Sequence, residues 1–300
     1  MEKVTTCPVC NSASATPALT VADFFFTEES FTLVDCSQCG FRFTNPRPSQ
    51  SEVGRYYHSD GYLSHSTNNK GITASIYRIL RQCALGAKLS IVRRFSSATP
   101  LLDIGCGTGS FLQYAQAQGF SVSGVEPGEA ARNEALRLCG PNISKRLDEL
   151  PTNTSSFSAI TLWHVLEHLD NLGEYLARVK SLLSPEGRVF IAVPNRSSWD
   201  CDYYGPFWAA WDVPRHFWHF RNQDISRLLE NHGFKLEETR NMWLDAYFIS
   251  LLSEKYKGRA PWFAWPLAAI RGTYSNLLAA LKLRPTSSTL FIARLDTNPA

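Results

Sequence analysis

The chain has 300 residues, 44% of them hydrophobic and 19% charged. That excludes a wholly disordered chain and is ample for a large buried core with a small appendage. Thirty Lys and Arg against 27 Asp and Glu leave a net charge of +3, too small for a protein whose main task is gripping nucleic acid. The start, M-E-K-V-T-T-C, carries no apolar signal region, and no uncharged apolar run approaches the roughly 18 residues of a membrane span. A cytoplasmic protein without a transmembrane helix is the expectation.

Four of the eight cysteines form two C-x-x-C pairs, Cys7/Cys10 and Cys36/Cys39. Four thiolates at that spacing suit one tetrahedral zinc ion with no open position, hence a structural one. A redox dithiol needs one such pair on a βαβ frame, not two spaced pairs. Residues 1–45 are therefore expected to be a zinc ribbon, with F-F-F (24–26) and F-T-L-V (31–34) as its short strands. Prolines mark 45–49 as a linker. Helical spacing of Ile76, Ile79, Leu80, Leu85, Leu89 and Val92 predicts a helix within 46–98. Ahead of it, Arg55, Tyr56, Tyr57, His58, Tyr62 and His65 read either as a ligand lid or as a surface loop.

From 99 to 240 apolar strands alternate with helices. Strands are expected at Leu101–Ile104, Ser121–Val125, Ala159–Leu162 and Arg188–Val193, and helices at Ser110–Gln118, Ala130–Cys139, Leu172–Leu183 and Asp224–His232. This rhythm predicts an α/β fold, a doubly wound parallel sheet with helices on both faces. A glycine-rich turn, Gly105-Cys106-Gly107-Thr108-Gly109, joins the first strand to its helix. Its G-x-G-x-G spacing differs from the dinucleotide fingerprint, whose third glycine falls one position later. Glu126 ends the second strand, where a carboxylate can accept hydrogen bonds from ribose hydroxyls. Asp103 ends the first, where it can face a cationic ligand.

On L-L-D-I-G-C-G-T-G (101–109), G-V-E-P (124–127), L-W-H-V-L-E-H-L (162–169) and L-L-S-P-E-G-R-V-F-I-A-V-P-N (182–195), the chain resembles the class I S-adenosylmethionine (SAM) methyltransferases. With its cysteine pairs and D-V-P-R-H-F-W-H-F (212–220), it is similar to a bacterial group that adds an N-terminal zinc ribbon. The resemblance implies a Rossmann-like sheet and SAM as cofactor. It implies a SAM pocket on Asp103, Gly105, Cys106, Gly107 and Gly109, ribose binding by Glu126, and an adenine-contacting acid at Asp148. The family's usual F-D before the fourth strand is here Phe157-Ser158.

Ligands of open parallel sheets sit at the carboxyl ends of the strands, which places His164 near the transferred methyl. His164-x-x-Glu167-His168 also matches a zinc-peptidase pattern, and on a helix the three side chains would share one face. Ubiquinone-type O-methyltransferases resemble this stretch but carry E-x-x-E-H with a divalent metal. His164 in place of the first acid weakens a hard-metal site. A catalytic, a metal-binding and a structural reading of His164 stay open here. Residues 196–222 form an aromatic insertion, with nine aromatics between Trp199 and Phe220 around Arg215, His216 and His219. His216 is a candidate base, because similar sugar C-methyltransferases carry an E-H pair there. The rival reading is a packed aromatic cap. Residues 241–300 hold seven Lys or Arg against three acids, with three tryptophans. They are expected to complete the sheet through Leu290–Leu295 and to allow peripheral membrane contact.

The expected activity is methyl transfer to an oxygen or carbon atom of a small-molecule acceptor: a sugar, glycolipid or quinone-like compound. An RNA methyltransferase docking through the ribbon, and a non-catalytic SAM-fold scaffold, are the alternatives.

Overall fold

The computed structural model describes residues 1–49, 51–57, 72–96, 100–151 and 157–297. His58, Tyr62 and His65 lie outside the described residues, and so do the side chains of Ile76, Ile79 and Leu80.

Four strands form an antiparallel sheet in the order β1-β2-β3-β9: β1 (Ala15–Ala22), β2 (Ser30–Cys36), β3 (Arg42–Thr44) and β9 (Trp218–His219). The fourth strand comes from the other end of the chain. Arg42 pairs with His219 and Phe43 with Trp218. F-T-L-V lies in β2, but F-F-F is a turn rather than a strand. Asp23 accepts the amides of Phe25, Phe26 and Thr27, and this side-chain cap closes the backbone on itself before a ladder can form.

Helix α1 (Ile72–Phe95) packs Leu85, Leu89 and Val92 against the second, seven-stranded sheet. That sheet contains β4 (Leu101–Ile104), β5 (Val122–Val125), β6 (Ile143–Ser144), β7 (Phe157–Trp163), β8 (Leu183–Pro194), β10 (Phe234–Asn241) and β11 (Ser288–Leu295). Its order is β10-β11-β8-β7-β4-β5-β6, parallel from β8 to β6, with β11 antiparallel to both neighbours. All four residues of β4 are buried, as expected of a central parallel strand covered on both faces. Helices α2 (Ser110–Ala117), α3 (Glu129–Cys139), α4 (Leu172–Leu182) and α6 (Asn222–Asn231) accompany these strands, and α5 (Trp199–Tyr204) opens the aromatic insertion. The fold is thus Rossmann-like, with a mixed central sheet and flanking helices.

The C-terminal region supplies β11 and also two helices the sequence pattern did not disclose, α7 (Asp245–Tyr256) and α8 (Pro261–Ala280). No helix among the described residues is long and apolar enough to cross a membrane.

Candidate active site

Three loops converge where β4, β5 and β7 end. After β4 the chain turns through Gly105, Gly107 and Gly109 at φ of +71°, +55° and +79°, a left-handed region that penalises every side chain with a Cβ. Gly105 is doubly constrained, since a Cβ there would stand 2.4 Å from Val165 Cγ2. Glu126, just after β5, fastens the turn. Its Oε2 accepts the amide of Gly107 at 2.9 Å and its Oε1 the amide of Gly128 at 2.7 Å. Each carboxylate oxygen keeps a lone pair for a further donor.

Asp103 is buried and accepts the Thr161 hydroxyl at 2.6 Å. Burial lifts its pKa from 3.8 to about 7, against the Thr161 hydroxyl and the charge of Lys88. This buried acid is short of positive charge, as suits the neighbour of a cationic ligand. The open glycine backbone, the Glu126 oxygens and Asp103 together fit SAM. Cys106 is buried beneath the turn, and burial pushes its thiol well up. Asp148 is exposed and engaged by Arg146 at 2.7 Å.

His164–His168 do not lie on an α-helix, so the shared helical face that the H-x-x-E-H pattern needs is not formed. His164 takes φ +58°, and only Leu166–His168 make a single 3-10 turn. The chain leaves β7 sharply and sets Val165 over Gly105, and Glu167 comes to lie between His164 on one side and His168 on the other. His164 Nε2 meets Asp245 Oδ2 at 3.0 Å, and its Nδ1 lies 3.5 Å from Glu167 Oε1. Burial pulls the His164 pKa down, but these carboxylates outweigh it and raise it from 6.5 to about 9. His164 is therefore a cation at neutral pH. A raised folded-state pKa stabilises fully below the unfolded value and loses that contribution as pH rises through the folded one. The stability difference between wild type and Asp245→Asn should accordingly shrink as pH rises from about 6.5 to about 9. Thermal melts across that range test this, and a constant difference would refute the pairing.

His168 and His216 stack edge to face, ring centroids 4.6 Å apart. His168 Nδ1 faces the Arg215 carbonyl at 3.0 Å, and burial with the nearby His216 lowers its pKa to about 4. It is neutral. His216 Nδ1 faces the Ala210 carbonyl at 2.9 Å, an arrangement that puts the proton on Nδ1 and leaves the lone pair on Nε2. Asp212 Oδ2 lies 3.7 Å from that Nε2. Glu167 is fully buried, and neither carboxylate oxygen has a hydrogen-bond partner among the described residues. Ligand atoms of Glu167, His168 and His216 lie within 4.8 Å of one another, close enough for one cation. The imidazolium of His164 already faces this carboxylate, so Glu167 reads as its counter-ion and as an acceptor for a bound donor.

Arg215 does not face a ligand. It is 1% exposed and gripped by Asp23 at 2.8 Å and Asp212 at 2.7 Å. His219 is buried against the Thr44 hydroxyl at 3.2 Å. Sequence reasoning missed Asp245 and Asp23, whose roles depend on contacts across the fold. Asp212 was visible in D-V-P-R-H, three residues before Arg215 of the cluster already singled out.

The four N-terminal cysteines converge, with Sγ distances of 3.6 Å for Cys7–Cys39 and 3.5 Å for Cys10–Cys36. Four sulfurs at about 2.3 Å from one zinc ion stand roughly 3.8 Å apart, so the set fits. Burial pushes the Cys36 thiol up. The amides of Cys39 and Gln38 and the thiols of Cys10 and Cys39 outweigh it and bring it down to about 7.

Residues 77–239 match the Methyltransf_23 methyltransferase-domain model. The chain belongs to that family and is a SAM-dependent methyltransferase. Among curated relatives, a ubiquinone biosynthesis O-methyltransferase of Rickettsia bellii is 24% identical over 207 residues, 63% of this chain and 86% of that one. One from Nitrosococcus oceani is 32% identical over 121 residues, 37% of this chain and 50% of its own length. Magnesium protoporphyrin IX methyltransferase of Synechocystis PCC 6803 superposes with a TM-score of 0.53 at 14% identity, covering 83% of this chain and 100% of that one. The 1,6-didemethyltoxoflavin-N1-methyltransferase of Burkholderia thailandensis gives 0.52 at 17% identity, covering 93% and 100%. These two share the fold.

Proposed function

We propose that this enzyme methylates an oxygen or carbon atom of a small-molecule acceptor, a sugar, glycolipid or quinone-like compound, with His216 as general base. The observation that carries the reading is the fully buried carboxylate of Glu167, ion-paired with His164 but without a hydrogen bond among the described residues, within 4.8 Å of a ring nitrogen of His216. Both adjoin the segment that Val165 packs onto the glycine turn. Bound SAM supplies an electrophilic methyl on a sulfonium. Asp103, the Gly105–Gly109 turn and Glu126 hold it, with Glu126 toward the ribose. Glu167 accepts a hydrogen bond from the acceptor and fixes its angle. His216 Nε2 takes the acceptor's proton, and Asp212 stabilises the imidazolium that results. His164, charged between Asp245 and Glu167, positions Glu167 and is not itself the base. The names of the ubiquinone O-methyltransferase relatives support a quinone-like acceptor.

Residues 1–45 serve as a structural zinc ribbon on Cys7, Cys10, Cys36 and Cys39. An RNA-docking role suits it poorly. Lys3 and Arg42 face five acids in this stretch, and Arg42 is held by Asp35 at 2.8 Å, which leaves little for phosphates.

Methyl-labelled SAM incubated with the protein and a fractionated bacterial extract tests the function. Label should enter lipid or small metabolites; label in RNA would overturn the acceptor class. With that acceptor in hand, His216→Asn should lower kcat about 10²–10⁴-fold while SAM still binds. Glu126→Gln should weaken SAM binding at least about tenfold. An unchanged kcat in His216→Asn removes it as the base.

A further inference from the structure

Helix α8 is packed inside out. It buries only small residues, Ala264, Ala268, Gly272, Ser275 and Ala279, and Gly272 sits where a Cβ would strike Tyr247 Cδ1 at 2.7 Å. Its large apolar side chains face solvent: Trp262 is 70% exposed, Trp265 63% and Ile270 65%, with Phe263, Leu277 and Leu281 also exposed. A water-bathed helix places such residues the other way round, and a contiguous exposed apolar face marks an interaction site. Charge says what covers it. Between Lys255 and Arg284 the chain has six cations (Lys255, Lys257, Arg259, Arg271, Lys282 and Arg284) and no acid. Arg271 is committed to the buried Glu254. Arg259 also pairs with Glu254 and Arg284 with Asp202, and Lys255, Lys257 and Lys282 bracket the apolar face at both helix ends. A second copy of the chain would oppose like charges across that face. Anionic lipid headgroups complement them, and indole rings suit the headgroup level of a bilayer.

We propose that the outer face of α8 docks on an anionic phospholipid bilayer, the helix lying in the interface with its tryptophans among the headgroups. Docked in this way the helix does not cross the bilayer, consistent with its length and hydropathy. The apolar surface continues at the start of the neighbouring helix α7, through the exposed Trp243 and Leu244 just before it and Phe248 in its first turn. These flank Asp245, the partner of His164, so the docking surface reaches the candidate active site. The docking rests on the surface alone and stands whether or not His216 is the base.

Flotation of the full-length protein with phosphatidylcholine vesicles, with and without about one-third phosphatidylglycerol, tests this. The protein should float with the anionic vesicles and be released by high salt. Lys255→Gln, Lys257→Gln and Lys282→Gln combined should lower the partition coefficient about 100-fold, at about fivefold per cation. Trp262→Ser, Phe263→Ser and Trp265→Ser combined should abolish binding while the thermal melt and SAM binding persist. Equal binding to neutral and anionic vesicles, or binding indifferent to either set, overturns the proposal. So does sedimentation showing a dimer that the serine variant dissociates and vesicles do not, which assigns the face to a second copy.

Discussion

Arg215→Ala should cost about 3–5 kcal/mol of stability, the range found when one partner of a buried ion pair is removed. The guanidinium is 1% exposed and Asp23 is fully buried. Its Nη2 donates to Asp23 at 2.8 Å and to Asp212 at 2.7 Å, its Nη1 to the Tyr56 carbonyl at 3.0 Å, and the ring of Phe25 lies 4.8 Å from its Cζ. Removing the side chain leaves two carboxylates without their shared cation. Asp23 keeps its turn amides, whereas Asp212, whose pKa Arg215 and His216 hold down against burial, loses its main counter-charge. Lysine cannot substitute, because one ammonium cannot span two carboxylates and a carbonyl in a fixed fork. Equilibrium urea denaturation measures the effect, and a loss below about 1 kcal/mol, the range of surface pairs, would contradict this account. Asp23→Asn combined with Arg215→Met should recover part of the loss, because no buried charge then stands alone at that end. The same variant should slow catalysis, since Asp212 would lose the orientation that sets it beside His216.

Arg215 also shows how far the sequence could be read. Its place in D-V-P-R-H marked it as a cation among aromatics, but only the fold brings Asp23 to it across nearly two hundred residues. Local features transferred well. Alternating strands and helices gave the parallel sheet, because each buried strand and each helix stripe writes its own periodicity. The glycine turn was legible because positive φ at Gly105, Gly107 and Gly109 leaves few alternatives to glycine. The H-x-x-E-H stretch left the role of His164 open for a physical reason. Spacing that fits one helical face says nothing about a backbone that packing forces left-handed at His164. The helices α7 and α8 were hidden because α8 reverses the usual amphipathic sense, with alanines inward and tryptophans outward.

Removal of zinc should have the widest consequence. Apparent binding free energies of structural zinc sites run to about 10–16 kcal/mol, comparable with the whole stability of a domain. The β1–β2 ladder and the buried Phe41 and Phe43 hold the body of the ribbon, but its two knuckles bring four sulfurs within reach of one ion, and it is this end that the metal ties down. The ribbon's far edge is part of the candidate active site. Thr44 donates its hydroxyl to the His216 carbonyl at 2.8 Å and its amide to the Phe217 carbonyl at 2.9 Å, and β3 pairs with β9 through Trp218 and His219. Losing the ribbon therefore frees the segment that carries His216. As purified, the protein should hold about one zinc per chain by elemental analysis. Stripping it with a strong chelator, or Cys36→Ser, should erase hydrogen-exchange protection across 30–44 and at 216–219. Methyl transfer should fall in parallel, while SAM binding at the glycine turn, anchored by Glu126 on the opposite side of the central strand, should change little. A zinc-free protein with unaltered exchange and kcat would rule out the structural ion. Loss of exchange protection at 30–44 alone would separate the ribbon from His216 and leave the base to be held by Ala210 and Asp212.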